Sequence, residues 1–425
     1  MGQHDATLRI GLVGAGMFGG DVLLRTFAQL QHFGFTPYLG RVGLEPLVSL
    51  LKDIRVEIVA LATHTPATAE ARRQEYARRR IHLETFHGET PWLDLLAAFP
   101  NLDVLAVATP DHLHTPAILA ALERNVHVIT EKPMCLDTYE ADRIIALARE
   151  RNRIVSVDMH KRYDPDHLRI RDDLLRRIGH PLYARAVLEE PLDISTRVFR
   201  KWAEQSDPFT YVGCHWTDLF ISYLNIKPTT VYAVGQKKRL RREFGLDTFD
   251  AVQVKVTFDN GMSVDFINNW IVPNRFEGPV NQESVIVGTH GFVESDTQYR
   301  GLRFHTEESG TKTANTHFTR DVSREDGSTA FIGYGVDSLV VGLVKMAQVT
   351  FQNADAETLA PTYPNPRQAR ETVKIIHAAR EVLRRNHRYA EENMGCPVTA
   401  TLTDSTITVW DPYAGAEVIY SRSSS

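Results

Sequence analysis

Two short segments of the chain combine residue types that together could support hydride chemistry. Gly14-Ala15-Gly16-Met17-Phe18-Gly19 directly follows the apolar run 8–13, and Glu131-Lys132-Pro133 directly follows the apolar run 126–130. A G-x-G-x-x-G loop between a strand and a helix is a dinucleotide fingerprint. Gly14 allows the tight turn, Gly16 lets backbone approach a pyrophosphate, and Gly19 lets the helix pack closely. Met17 and Phe18 lie between these glycines, and the helix that follows turns its unpaired N–H groups toward phosphate. Lys132 at a later strand end would then lie beside the reactive ring of the cofactor. Its ammonium can stabilise a developing alkoxide, and partial desolvation would favour proton exchange. Pro133 restricts Lys132 to extended geometry, which aims the side chain. The competing role for Lys132 is a plain salt bridge to Glu131.

Other strand ends carry further candidates. The second apolar run, 56–62, leads into Thr63-His64 with no carboxylate to read a ribose 2′-hydroxyl. Thr63 and His64, with Arg72 or Arg73 in reach, would tolerate a 2′-phosphate, so either NAD or NADP is expected, with NADP favoured. The segment Thr109-Pro110-Asp111-His112-Leu113-His114 leaves a third run. Thr109, Pro110, His112 and His114 are expected to line the cofactor cleft, while Thr115 reads as a helix N-cap and Pro116 as the first helical residue.

These residues need a sheet to hold them. Up to about residue 160, strand-like runs alternate with helical periodicity (20–31, 68–80, 91–99, 114–124 and 138–151), the rhythm of a doubly wound parallel sheet. Residues 31–55 form a long connection with a short helix around 46–52. After Arg162 the pattern changes to a helix at 166–177 and alternating strands at 184–189, 230–235, 252–258, 262–270, 284–288 and 291–296. Asp259-Asn260-Gly261 is a hairpin turn. Residues 335–349 and 367–385 read as helices, and 399–421 as a terminal hairpin turning near 412–415. The fold class is α/β: an N-terminal Rossmann domain (1–160), an α+β domain with an open, mostly antiparallel sheet (161–386), and an extension with a hairpin (387–425). The helix 367–385 is expected to pack back on the first domain.

Composition narrows the setting. A chain of 425 residues exceeds one ordinary core. A net charge of −5 without like-charge blocks argues against nucleic acid or an anionic membrane as partner. The basic stretch 72–80 is interrupted by Gln74, Glu75 and Tyr76 and reads as a solvated helix face. No apolar stretch reaches the roughly 18–20 residues that span a bilayer, and no secretory leader is recognised. Cys135, Cys214 and Cys396 are far apart with no CxxC spacing, so neither disulfides nor a metal site is expected. These features suggest a cytoplasmic protein. His4, His32 and His180 read as structural or solvent-exposed.

Taken together, the glycine loop, the 109–114 segment and Glu131-Lys132-Pro133 resemble the glucose–fructose oxidoreductase/inositol dehydrogenase (Gfo/Idh/MocA) family. So do His160-Lys161-Arg162-Tyr163-Asp164-Pro165 and Val212-Gly213-Cys214-His215-Trp216-Thr217-Asp218. The resemblance spans roughly residues 8–385, and its most specific element is Glu131-Lys132-Pro133. It implies NAD(P)-dependent oxidation or reduction of a sugar, cyclitol or polyol hydroxyl, and a homodimer or homotetramer. Carried over, Lys132 contacts the reacting oxygen and His215 is its acid/base partner. Asp218, one turn along, orients the imidazole or binds a substrate hydroxyl. Many family members carry an aspartate four residues before that histidine; here Tyr211 stands there, as a replacement proton donor or as a wall of the pocket. His160, Arg162 and Tyr163 are expected at the substrate, Arg162 binding a carboxylate or phosphate there or pinning the domain junction, with Trp202 or Trp216 stacking on a sugar face. Two other readings stay open: a redox-neutral lyase or glycosidase that retains its cofactor, and a non-catalytic dinucleotide-sensing regulator.

Overall fold

The computed structural model describes residues 6–296 and 301–422; His4 lies outside them. The chain divides into two units. The first comprises residues 6–134, 142–164 and 318–367, the second 135–141, 165–317 and 368–422.

The first unit is built on a six-stranded sheet ordered β3-β2-β1-β4-β5-β6, with β1 at Thr7–Val13, β2 at Arg55–Thr63, β3 at Glu84–His87, β4 at Val104–Val107, β5 at His127–Thr130 and β6 at Val155–Val157. Every pairing is parallel. Central strands β1, β4 and β5 are buried almost throughout, which fits their mostly apolar sequence, broken by Arg9 in β1 and His127 in β5. Edge strand β3 is short and half-exposed; Glu84-Thr85-Phe86-His87 carries no apolar run, so its sequence gives no strand signal. The long connection after the first helix (Leu24–Phe33) folds into short turns of helix, Thr36–Leu39 and Val48–Leu51 among them.

Residues 318–367 join this unit, whereas the sequence pattern assigns them to the second domain. The reason is the helix Tyr334–Gln352, apolar on nearly every side. Val336, Leu339, Val340 and Leu343 share one core with Leu8, Ile10, Phe27 and Ile129. Gly342 lies where any Cβ would come within 2.8 Å of the Ser156 hydroxyl, so the helix backbone sits directly on the sheet.

The second unit carries a nine-stranded sheet. Its strands are β7 (Pro181–Pro191), β8 (Pro228–Gln236), β9 (Ala251–Phe258), β10 (Ser263–Val272), β11 (Asn281–Gly288), β12 (Gly291–Asp296), β17 (Thr399–Leu402), β18 (Thr406–Asp411) and β19 (Gly415–Ser421), in the order β12-β11-β7-β10-β9-β8-β17-β18-β19. Two separate hairpins follow, β13 (Leu302–Thr306) with β14 (Gly310–Ala314) and β15 (Arg320–Ser323) with β16 (Thr329–Ile332); the latter belongs to the first unit. The large sheet is antiparallel except where β10 runs parallel to β7. Strict in–out alternation along β9, β10 and β11 buries one face. Gly261 adopts φ +83° at the β9–β10 turn, a conformation that favours glycine.

The helix Pro366–Glu391 buries Ile375, Ile376, Val382 and Leu383 in this unit's core with Val231, Val254 and Phe266. The helix that covers the parallel sheet is therefore Tyr334–Gln352, not the expected 367–385. The C-terminal residues form three strands, β17 (Thr399–Leu402), β18 (Thr406–Asp411) and β19 (Gly415–Ser421), which extend the large sheet from β8. Tyr389 donates to Asp411 at 3.0 Å and Arg370 to the Tyr420 hydroxyl at 2.6 Å, tying the long helix to this edge.

Candidate active site

In a parallel sheet, ligands meet the carboxyl ends of the strands. The glycine loop leaves β1 there, Thr109 follows β4, Glu131 and Lys132 follow β5, and Asp158 follows β6. At Gly14 (φ +89°) a Cβ would lie 2.2 Å from the Ala108 carbonyl oxygen; at Gly19 it would lie 2.3 Å from that of Gly14. Both positions exclude a side chain, which locks loop, strand and helix together. Gly16 is different: a Cβ there would meet no atom within 4 Å. Close packing at Gly14 and Gly19 with open space at Gly16 is what a pyrophosphate over the helix N-terminus requires. The Thr109 hydroxyl oxygen is buried with no hydrogen-bond partner among the described residues, a further polar group suited to a bound dinucleotide. The residues present thus fit the cofactor. Met17 is exposed, while Phe18 stacks on His160 with ring centroids 5.3 Å apart.

The Thr109–His114 loop departs from expectation in two ways. Its helix begins at His114, so Thr115 lies inside it and does not cap it. His112 is exposed and Pro110 half-buried, but His114 is enclosed. Its Nδ1 lies 2.7 Å from the Pro133 carbonyl oxygen and its Nε2 2.9 Å from that of Thr109. His114 therefore braces two loops instead of lining a cleft. Burial pushes its pKa below the ordinary histidine value.

Lys132 and Glu131 are both buried, and the Lys132–Pro133 peptide is cis. At the β2 end, the Thr63 hydroxyl donates to the Thr65 carbonyl at 2.8 Å, and His64 is exposed. Arg72 pairs with Asp21 at 2.7 Å and Glu75 at 2.9 Å, and Arg73 with Glu70 at 2.7 Å. Both arginines weighed for a 2′-phosphate are thus engaged by carboxylates. His160 and Tyr163 bound the turn after β6, with Arg162 between them; His160 also packs near Phe318 (5.2 Å) and Tyr334 (5.9 Å).

In the second unit, Tyr211, His215, Trp216 and Asp218 lie on a continuous helical run that ends with the helix Cys214–Leu224. Asp207 caps its start, accepting from Thr210 N at 3.0 Å and from the Thr210 hydroxyl at 2.5 Å. Tyr211 packs edge-on against Phe199 (4.6 Å) beside Trp202 and Trp270. His215 and Asp218 are buried one turn apart. Trp216 is no stacking platform: it is 1% exposed, its indole N–H donates to the Val187 carbonyl at 2.9 Å, and it meets His167 edge-on at 5.2 Å. The helix face that carries Trp216 looks into the sheet core, which decides its role. Among the described residues no His, Cys, Asp or Glu group could hold a metal, and no helix is long and apolar enough to cross a membrane.

Sequence reasoning missed Asp158 and Ser338. Asp158 directly follows β6, but the only signal for Ser338 is a polar residue in an apolar helix 180 positions away.

A parallel sheet with a glycine-cradled helix N-terminus and a lysine on the same edge defines the class, a dinucleotide-binding oxidoreductase fold. Residues 8–159 match the model described as an oxidoreductase family with an NAD-binding Rossmann fold, and residues 175–294 match the GFO/IDH/MocA C-terminal domain. The chain belongs to the Gfo/Idh/MocA family.

It is 32% identical over 121 residues to the uncharacterized oxidoreductase YdgJ of Escherichia coli (strain K12), covering 28% of this chain and 33% of that protein. It is 28% identical over 182 residues to inositol 2-dehydrogenase 4 of Saccharopolyspora erythraea, covering 42% and 45%. The chain spans about a third to a half of the length of these curated relatives. Among solved structures, GenD2 from gentamicin A biosynthesis in complex with NAD aligns with TM-score 0.65 at 18% identity, covering 95% of this chain and 99% of that one. Scyllo-inositol dehydrogenase from Lactobacillus casei, with NAD(H) and scyllo-inositol bound, aligns with TM-score 0.60 at 16% identity, covering 89% and 98%. These likenesses show a shared fold.

Proposed function

We propose that the chain is an NAD(P)-dependent dehydrogenase or reductase acting on a carbinol or carbonyl carbon of a sugar, cyclitol or related polyol. The observation that carries this reading is Lys132, buried at the end of β5 on the same sheet edge as the glycine loop. The names of relatives support the substrate class: inositol 2-dehydrogenase, 1,5-anhydro-D-fructose reductase and D-glucoside 3-dehydrogenase.

The dinucleotide, when bound, supplies or accepts the hydride. Gly16 and the helix N-terminus hold its pyrophosphate. Lys132 stabilises the oxygen of the reacting carbon as negative charge develops on it. His215 takes up or delivers the hydroxyl proton, with Tyr211 as its neighbour on the helical run and Asp218 orienting the ring. His160, Arg162 and Tyr163 contact substrate. The lack of a carboxylate at the end of β2 supports NADP over NAD. A homodimer or homotetramer is the proposed assembly.

The test is Lys132→Met, assayed with NAD and NADP against myo-inositol and a panel of sugars at the nicotinamide absorbance band. Turnover is expected to fall about 10²–10⁴-fold with cofactor affinity little changed. Undiminished turnover removes Lys132 from the chemistry. Product formed with no net change in that band would favour a redox-neutral lyase instead.

A further inference from the structure

Two carboxyl groups, Glu131 and Asp158, follow the ends of adjacent strands, and Glu131 is next to Lys132 in the chain. Thr130 of β5 is in register with Val157 of β6, so Glu131 and Asp158 are the first residues beyond two adjacent parallel strands. Backbone bonds fix both: Glu131 N donates to the Val107 carbonyl at 2.8 Å, and Asp158 N to that of Thr130 at 2.8 Å. Both side chains are buried, and Glu131 Oε1 and Asp158 Oδ2 are each enclosed without a hydrogen-bond donor among the described residues. Two ionised carboxylates cannot satisfy each other there; a single proton between them satisfies both oxygens.

We propose that Asp158, held by Ser338, is a positioning residue that keeps Glu131 as the proton-bearing member of a carboxyl pair, so that Lys132 faces one negative charge instead of two. The Ser338 hydroxyl, from the helix Tyr334–Gln352, donates to Asp158 Oδ1, which marks Asp158 as the acceptor of the pair. Burial and the charge of Asp158 drive the Glu131 carboxyl well above the usual range, against the opposing pull of Lys132. The other titratable groups around the pair are few. His160 Nδ1 is 3.7 Å from Asp158 Oδ2, and burial pushes that histidine down toward its neutral form, with Lys161 next to it. From the packed helix, Asp337 turns to Arg41 at 2.8–2.9 Å and leaves Ser338 as the contact. His160 also stacks on Phe18, linking the pair to the glycine loop.

The importance of the pair rests on Lys132 meeting the reacting oxygen, but its existence does not. The experiment is a pH titration of full-length protein with NAD added, carrying ¹³C-carboxyl glutamate, with the Glu131 signal assigned through Glu131→Gln. In wild type the signal is expected at the neutral-acid position at pH 7. In Asp158→Asn it is expected to titrate lower by about two pH units or more. Ser338→Ala should move it part of the way toward the ionised position, because Asp158 loses the donor that holds it, and Ser338→Thr should restore it. An ionised Glu131 at pH 7 in wild type overturns the proposal, as does an Asp158→Asn titration that superimposes on wild type. A neutral Glu131 in a protein that turns over no polyol sinks the functional reading and leaves the pair standing.

Discussion

His114 Nδ1 lies 2.7 Å from the carbonyl oxygen of Pro133, the residue after Lys132. Its other ring nitrogen is 2.9 Å from the carbonyl of Thr109, so one buried side chain joins the loops that follow β4 and β5. Replacing His114 by Ala removes the single N–H of the neutral ring, leaves one buried carbonyl without its donor and opens a cavity. We expect a loss of about 2–4 kcal/mol in urea unfolding. Turnover should fall as well, because the loop carrying Lys132 loses its brace. A variant as stable as wild type would remove this role.

The glycine loop offers a contrast within one motif. Gly14→Ala forces a Cβ against the Ala108 carbonyl at a positive φ and should destabilise the first unit, read as a lower melting temperature. Gly16→Ala meets no protein atom, so its melting temperature should stay within a degree or two of wild type, by about 0.5 kcal/mol or less. Its cofactor affinity should nevertheless fall by about tenfold or more, measured by quenching of protein fluorescence. Equal effects on melting at both positions would contradict the geometry.

Cofactor choice can be altered at an exposed residue. His64 follows β2 and is exposed, so His64→Asp costs little packing. A carboxylate there can accept from a ribose 2′-hydroxyl and repel a 2′-phosphate. The ratio of kcat/KM for NAD over NADP is expected to rise by about tenfold or more.

His127 makes stability fall with acid. Its Nδ1 accepts from Ile154 N at 2.9 Å, and its Nε2 is 3.2 Å from the Thr350 hydroxyl. Burial, with Arg153 nearby, pushes its pKa down to about 3. The unfolded chain binds this proton near pH 6.5, before the folded protein does. Stability is therefore full above about pH 6.5 and is lost as pH falls toward 3, by roughly 5 kcal/mol at most. His127→Gln should flatten this slope in melting curves between pH 7 and pH 4. An unchanged slope would assign the acid sensitivity to other groups.

Much of the site was legible because it is written locally. The turn at Gly14, the helix start after it and the strand end before Lys132 each depend on neighbours within a few residues, so spacing and periodicity reveal them. Trp216 was misread because it is adjacent in sequence to candidate site residues, but its side chain points into a core. Which way a helical side chain faces depends on what packs against it.

By itself the amino-acid sequence determined the two architectures, the strand ends that carry Gly14, Thr109 and Lys132, and the family to which they point. These follow from hydrophobic period and turn chemistry, which act over short stretches of chain. Only the tertiary structure decided that residues 318–367 return to the first unit, that the C-terminal strands extend the large sheet, and that Ser338 reaches Asp158. Those contacts join segments far apart in the chain, and burial of an apolar helix selects its partner by shape and area, which no local pattern records.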